Sequence, residues 1–168
     1  MKRYQKILLK VGLGMVAAFV LLVAALVIWA LTPAFLGISH HNGCIRKAQA
    51  EAVSIEVKCT AMTHYEDKIP KAVTVTDPEK IHYLLSRLSL PQKPRIDQCF
   101  HGCSGNLAVF IHTRKETYEL HYDHGNGMYP ICRNRSNIGF IDMDRKVCAE
   151  LNQYFAALGF TKDEIGYP

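Results

Sequence analysis

Residues 11–31, VGLGMVAAFVLLVAALVIWAL, carry no charge. A helix rises 1.5 Å per residue, so the run covers roughly 32 Å, against about 30 Å for a bilayer's hydrocarbon core. A cleavable signal peptide has a shorter apolar stretch of ~7–15 residues and a small-x-small exit. This run is longer, and Pro33 spoils its exit. The residues before Cys44 lack the apolar position that a lipid-attachment site wants. The expectation is an uncleaved transmembrane signal-anchor over residues 11–31.

Lys2, Arg3, Lys6 and Lys10 precede the run, and the next basic residue is Arg46. The positive-inside rule makes residues 1–10 a cytoplasmic basic tail and puts everything after Leu31 outside. Trp29 lies near the outer end, where an aromatic belt would place it. The expected location is a cell membrane crossed once, with the C-terminal domain periplasmic or extracellular. The lipid bilayer is the first expected partner.

The net charge of +5 does not indicate nucleic acid. All 15 acidic residues lie after residue 50, and sixteen of the 20 basic ones follow Leu31. A nucleic-acid binder needs a concentrated basic face to neutralise phosphates. The basic excess instead marks topology.

Residues 32–52, with Pro33, Gly37, His40, His41 and Gly43, suggest a polar connector. His40, His41 and Cys44 could make a weak metal site there, but a polar spacer is the plainer account. The domain proper is expected over 53–168, enough chain for one core. In VSIEVKC, Val53, Ile55, Val57 and Cys59 alternate with polar residues, as in a half-buried strand. KAVTVT predicts a second strand.

DPEKIHYLLSRLSLP predicts a helix. Asp77 suits the N-cap and Pro78 the first turn. Ile81, Leu84, Leu85 and Leu88 form one stripe. LAVFIH-TRKE-TYELHY predicts a hairpin whose turn is 113–116. His112 then opposes Thr117, Ile111 opposes Tyr118, Val109 opposes Leu120 and Leu107 opposes Tyr122. DHGNGMYPICRNRSN is expected as an irregular loop and IGFID as a short strand. DMDRKVCAELNQYFAALGF predicts a last helix, capped by Asp142 or Asp144, with Val147, Leu151, Phe155 and Leu158 inward and a stop at Gly159. The order is ββαβββα, an α+β class with two helices packed on an antiparallel sheet.

Six cysteines, Cys44, Cys59, Cys99, Cys103, Cys132 and Cys148, follow the apolar run. An even count in an oxidising compartment indicates disulfides first. CFHGCSGN, residues 99–106, is the most chemical-looking stretch. Its Cys-x3-Cys spacing is not the Cys-x2-Cys of thioredoxin-like proteins, and its glycines disfavour the helix N-terminus that lowers a thiol pKa. It offers three ligands where structural zinc uses four. No metal or cofactor is therefore expected.

A Cys132–His124 dyad would need a free thiol, a base within reach and an orienting group. The sequence shows none of these, and no catalytic residue is assigned. His112 and His121 share the hairpin's outer face but stand about 13 Å apart along the strands, too far for one metal. Asn134-Arg135-Ser136 fits a glycosylation sequon that matters only in a eukaryotic secretory route.

The expected function is a non-enzymatic binding module on the outer face of a membrane: an envelope-complex component, or an inhibitor or immunity-type protein. Its protein partner would meet the loops 97–106 and 123–137, with His101, Asn106, His124, Arg133 and Arg135 as candidate contacts. The alternative is a membrane-tethered thiol-redox or metal-binding protein using Cys99, His101 and Cys103.

Overall fold

The computed structural model describes residues 2–60, 71–90, 95–96, 107–131 and 141–166. The chain divides into two units, Met1–Leu36 and Gly37–Pro168. Helix α1, Lys2–Glu51, supplies all of the first unit's regular structure and opens the second.

In the first unit, the side chains described over residues 12–28 are exposed, among them Leu13, Met15, Phe19, Leu21 and Ile28. Among the described residues no helix is long and apolar enough to cross a membrane. The N-terminal transmembrane helix expected as part of the fold class is corrected accordingly. What remains of that class is α+β.

In the second unit the strands are β1 (Ala52–Cys59), β2 (Ala72–Val75), β3 (Arg95–Ile96), β4 (Leu107–Thr113), β5 (Thr117–Asp123), β6 (Gly127–Tyr129) and β7 (Ile141–Asp142). They form one sheet in the order β2-β1-β4-β5-β6-β7-β3, and every pairing is antiparallel. The helices are α2 (Pro78–Arg87), α3 (Arg145–Ala157) and α4 (Lys162–Ile165), with the end of α1.

The β4–β5 register is the one that matching apolar faces require. Leu107 opposes Tyr122, Val109 opposes Leu120, Ile111 opposes Tyr118 and His112 opposes Thr117. Across β1–β4, Ile55, Val57 and Cys59 oppose Ile111, Val109 and Leu107. These side chains make the inner face. At roughly 25 cal/mol per Å² of apolar surface removed from water, this contiguous burial is the main stabilising term.

Val53 departs from its expected inward direction. The β1–β4 register shifts between Ala52 and Ser54, so Val53 is the extra residue of a bulge. Its side chain turns outward and is 48% exposed.

Asp77 caps α2 by accepting from the backbone N–H of Glu79 and Lys80, and Pro78 stands in the first turn. Ile81, Leu84, Leu85 and Leu88 are all buried. Asp144, the second of the two candidate caps, starts α3. Gly159, at φ 94°, ends it in a left-handed turn that a Cβ would strain, and the Phe160 N–H reaches back to the Phe155 carbonyl.

Two stretches differ from the expected order. Residues 37–51 are helix rather than connector, and Ile38, His41, Ile45 and Ala48 are buried in the core. Their spacing of three, four and three is a helical stripe with a histidine in it. Secondly, the irregular loop contains β6, whose Met128 opposes Tyr122 and is fully buried.

Candidate functional site

Of the expected contact residues, His124 lies among the described ones. His101, Asn106, Arg133 and Arg135 lie outside them, as do Cys99, Cys103 and Cys132 and the sequon. The site is therefore built from His124 outward.

His124 sits in the β5–β6 turn, where Asp123 opposes Gly127. Closing so short a loop takes consecutive left-handed residues, and His124 (φ 51°) and Gly125 (φ 63°) supply them. Glycine adopts this conformation freely; histidine does so at a cost. Asp123 is fully buried and its Oδ1 accepts the His124 N–H at 2.9 Å. Its Oδ2 stands 3.6 Å from His124 Nε2. The Asn126 N–H donates to the Asp123 carbonyl, and the Asn126 carbonyl accepts from the Met143 N–H.

Beneath the turn lies a polar cluster on α3. Asn152 Nδ2 donates to the Gly125 carbonyl at 3.0 Å, while its Oδ1 accepts the Tyr122 hydroxyl at 2.7 Å. The Tyr122 ring packs on Phe155 with centroids 5.3 Å apart. A buried amide that is bonded on both sides holds its partners in one arrangement. His124 and Asn126 consequently project into solvent from a fixed base.

A second buried polar device lies where α1 meets the end of α2. His41 Nε2–H donates to the Leu88 carbonyl at 2.7 Å, and the Ile131 N–H donates to His41 Nδ1 at 3.0 Å. The ring is thus neutral with its proton on Nε2. Burial pushes its pKa down to about 4, against the raising effect of the Leu88 bond. Asn42 both donates to the Leu90 carbonyl and accepts the Leu90 N–H. Together they satisfy groups that the end of α2 would leave orphaned.

The cysteines described so far favour packing over reactivity. Cys44, Cys59 and Cys148 are buried thiols, with no bond between them. Burial raises the pKa of both Cys44 and Cys148. Each is held as a thiol rather than as the thiolate that nucleophilic chemistry needs. Cys44 Sγ contacts His40 Nε2 at 3.6 Å, but His41 is committed to backbone partners, so the three do not converge as a metal site. Among the described residues no group of three or more His, Cys, Asp or Glu side chains could hold a metal ion.

On the outer face of the sheet, His112 contacts Thr117 and Glu56, whereas His121 pairs with Glu119 at 2.9 Å. The two histidines have different partners, as their separation in register requires.

Asn42 and Asn152 were not singled out from the sequence, and His41 was read there as a weak metal ligand or polar spacer rather than as a buried core residue. The signal for His41 was the Ile38–His41–Ile45–Ala48 spacing. Asn152 follows the inward Leu151 and gave no comparable signal. No family model, curated protein or solved structure matches this chain.

Proposed function

We propose that the second unit is a non-enzymatic binding module that takes a protein partner at the β5–β6 end of its sheet. The observation that carries this reading is the exposed pair His124 and Asn126 on a turn fixed from below by Asn152, Tyr122 and Asp123. A turn positioned this way presents groups to a partner with little ordering left to do on binding. The buried thiols, with raised pKa values, favour recognition over nucleophilic catalysis.

In the same proposal the apolar side chains of residues 12–28 associate with a lipid bilayer. They are apolar around the helix, so a solvent that surrounds them suits them better than a partner on one face. The alternative of thiol redox or metal binding through Cys99, His101 and Cys103 rests on residues outside those described.

The test is a photo-crosslinking amino acid placed at position 124, at 126, or at the exposed α2 position 79, in the full chain in its native membrane. Discrete adducts at 124 and 126, absent at 79, are expected. Identical patterns at all three positions would overturn the reading. Release of the chain by alkaline carbonate would remove the bilayer from it.

A further inference from the structure

At the other end of the β4–β5 hairpin a groove of about 360 Å³ is lined by Ala50, Glu51, Ala52, Val53, Arg114 and Lys115. The β4 and β5 strands span seven residues each, so roughly 20 Å separates this end from the His124 turn. Three observations bear on what the groove takes.

Its apolar floor is open. The bulge turns Val53 outward beside Ala50 and Ala52, whereas the neighbouring odd-numbered residues of β1 point into the core. A valine left at 48% exposure in a concave site is an apolar contact awaiting a cover.

Its basic wall is held in place. Thr113 Oγ1 accepts from the N–H of both Lys115 and Glu116 and donates to the Glu116 carbonyl at 2.8 Å. The Thr113 N–H also donates to the Glu116 carbonyl. This net fixes the backbone of the turn and leaves Arg114 and Lys115 exposed at its tip.

The carboxylate of the turn is already engaged. Glu116 pairs with Lys47 and accepts the Tyr118 hydroxyl at 2.5 Å. Both partners lower its pKa, Lys47 first. Among the described residues, Arg114 and Lys115 have no ion-pair partner, and Glu51 is the groove's acidic lining residue. The wall therefore carries a net positive charge.

We propose that this groove binds an acidic segment of a protein partner, with an apolar side chain on Val53 and carboxylates on Arg114 and Lys115. Charge complementarity selects the acid, and the bulged valine selects an apolar residue between the acids. This site is independent of the His124 turn, and either can fail without the other.

The probe is a fluorescein-labelled, acetylated peptide alternating glutamate and leucine, titrated against the full chain in nonionic detergent by fluorescence anisotropy. The control peptide has lysine for every glutamate. Saturable binding of the acidic peptide is expected, at least tenfold tighter than that of the control and weakened severalfold between 50 and 200 mM salt. The double variant Arg114→Ala, Lys115→Ala should weaken it tenfold or more, and Val53→Ser about threefold or more. These side chains are exposed, and an unchanged circular dichroism spectrum checks that the variants fold. Equal affinity for both peptides, no saturable binding, or an acidic-peptide affinity unchanged in the double variant would each overturn the proposal.

Discussion

The two ends of the β4–β5 hairpin solve the same problem, turning a chain between paired strands, with opposite chemistry. At the 113–116 end the turn is closed by a threonine hydroxyl and its charges stay in solvent. At the 123–127 end the turn is closed by left-handed residues, and its polar anchors, Asp123 and Asn152, are buried. Exposed charges are screened and contribute little to stability, whereas buried hydrogen-bonded groups are expensive to disturb. The first end can be altered without unfolding the domain. The second couples its tip to the core.

The largest expected contrast comes from Tyr122. Tyr122→Ala removes a fully buried ring packed on Phe155 and the hydroxyl held by Asn152, and should cost about 3–5 kcal/mol in urea unfolding. Arg114→Ala at the opposite end should leave the midpoint nearly unchanged. Equal losses would break the distinction between the ends.

Next comes acid. Folding holds the His41 ring neutral and pushes its pKa down to about 4, whereas an unfolded histidine titrates near 6.5. Its contribution is therefore complete above about pH 6.5 and is lost as the pH falls towards 4. The difference amounts to about 3 kcal/mol. Unfolding measured from pH 7 to 4 should show this loss in the natural chain, and a flatter profile in His41→Gln.

A smaller effect is expected at Tyr118, whose hydroxyl donates to Glu116. Tyr118→Phe leaves Glu116 its Lys47 partner, so about 0.5–1 kcal/mol should be lost on unfolding. A cost above 2 kcal/mol would mean that the hydroxyl, and not the threonine net, organises this end.

The smallest effect is at His124. Glycine accepts φ 51° without penalty, so His124→Gly should change stability by at most about 0.5 kcal/mol. The same substitution should weaken crosslinking through position 126. A large loss of stability would make His124 a structural residue and not a contact.

Much of the sheet was legible because alternation has a period of two and a four-residue turn fixes the register. The β4–β5 pairs and both helix caps follow from such local rules. Three features did not follow. Helix α1 runs through Gly37 and Gly43, residues with poor helix propensity, because tertiary burial of Ile38, Ile45 and Ala48 outweighs that propensity. Strand β6 is three residues long, too short for any period to register. The Val53 bulge breaks the alternation that predicted an inward valine, and no residue-level signal marks it. Of the candidate site, the sequence singled out His124 and was silent at Asn152, whose hydrogen bond reaches a carbonyl 27 residues away.

The bulge has a consequence for how copies of this domain meet one another. Strand β2 pairs with β1 from Ile55 onward, so residues 52–54 lie beyond that ladder. A flat stretch rich in alanine and valine there would template strand addition from a second chain. The extra residue at Val53 puts the backbone groups out of step with any regular partner and twists the strand end away. The irregularity that opens the groove thus also works against edge-to-edge polymerisation. Deleting Val53 would straighten the strand, close the groove and leave an edge prone to aggregate.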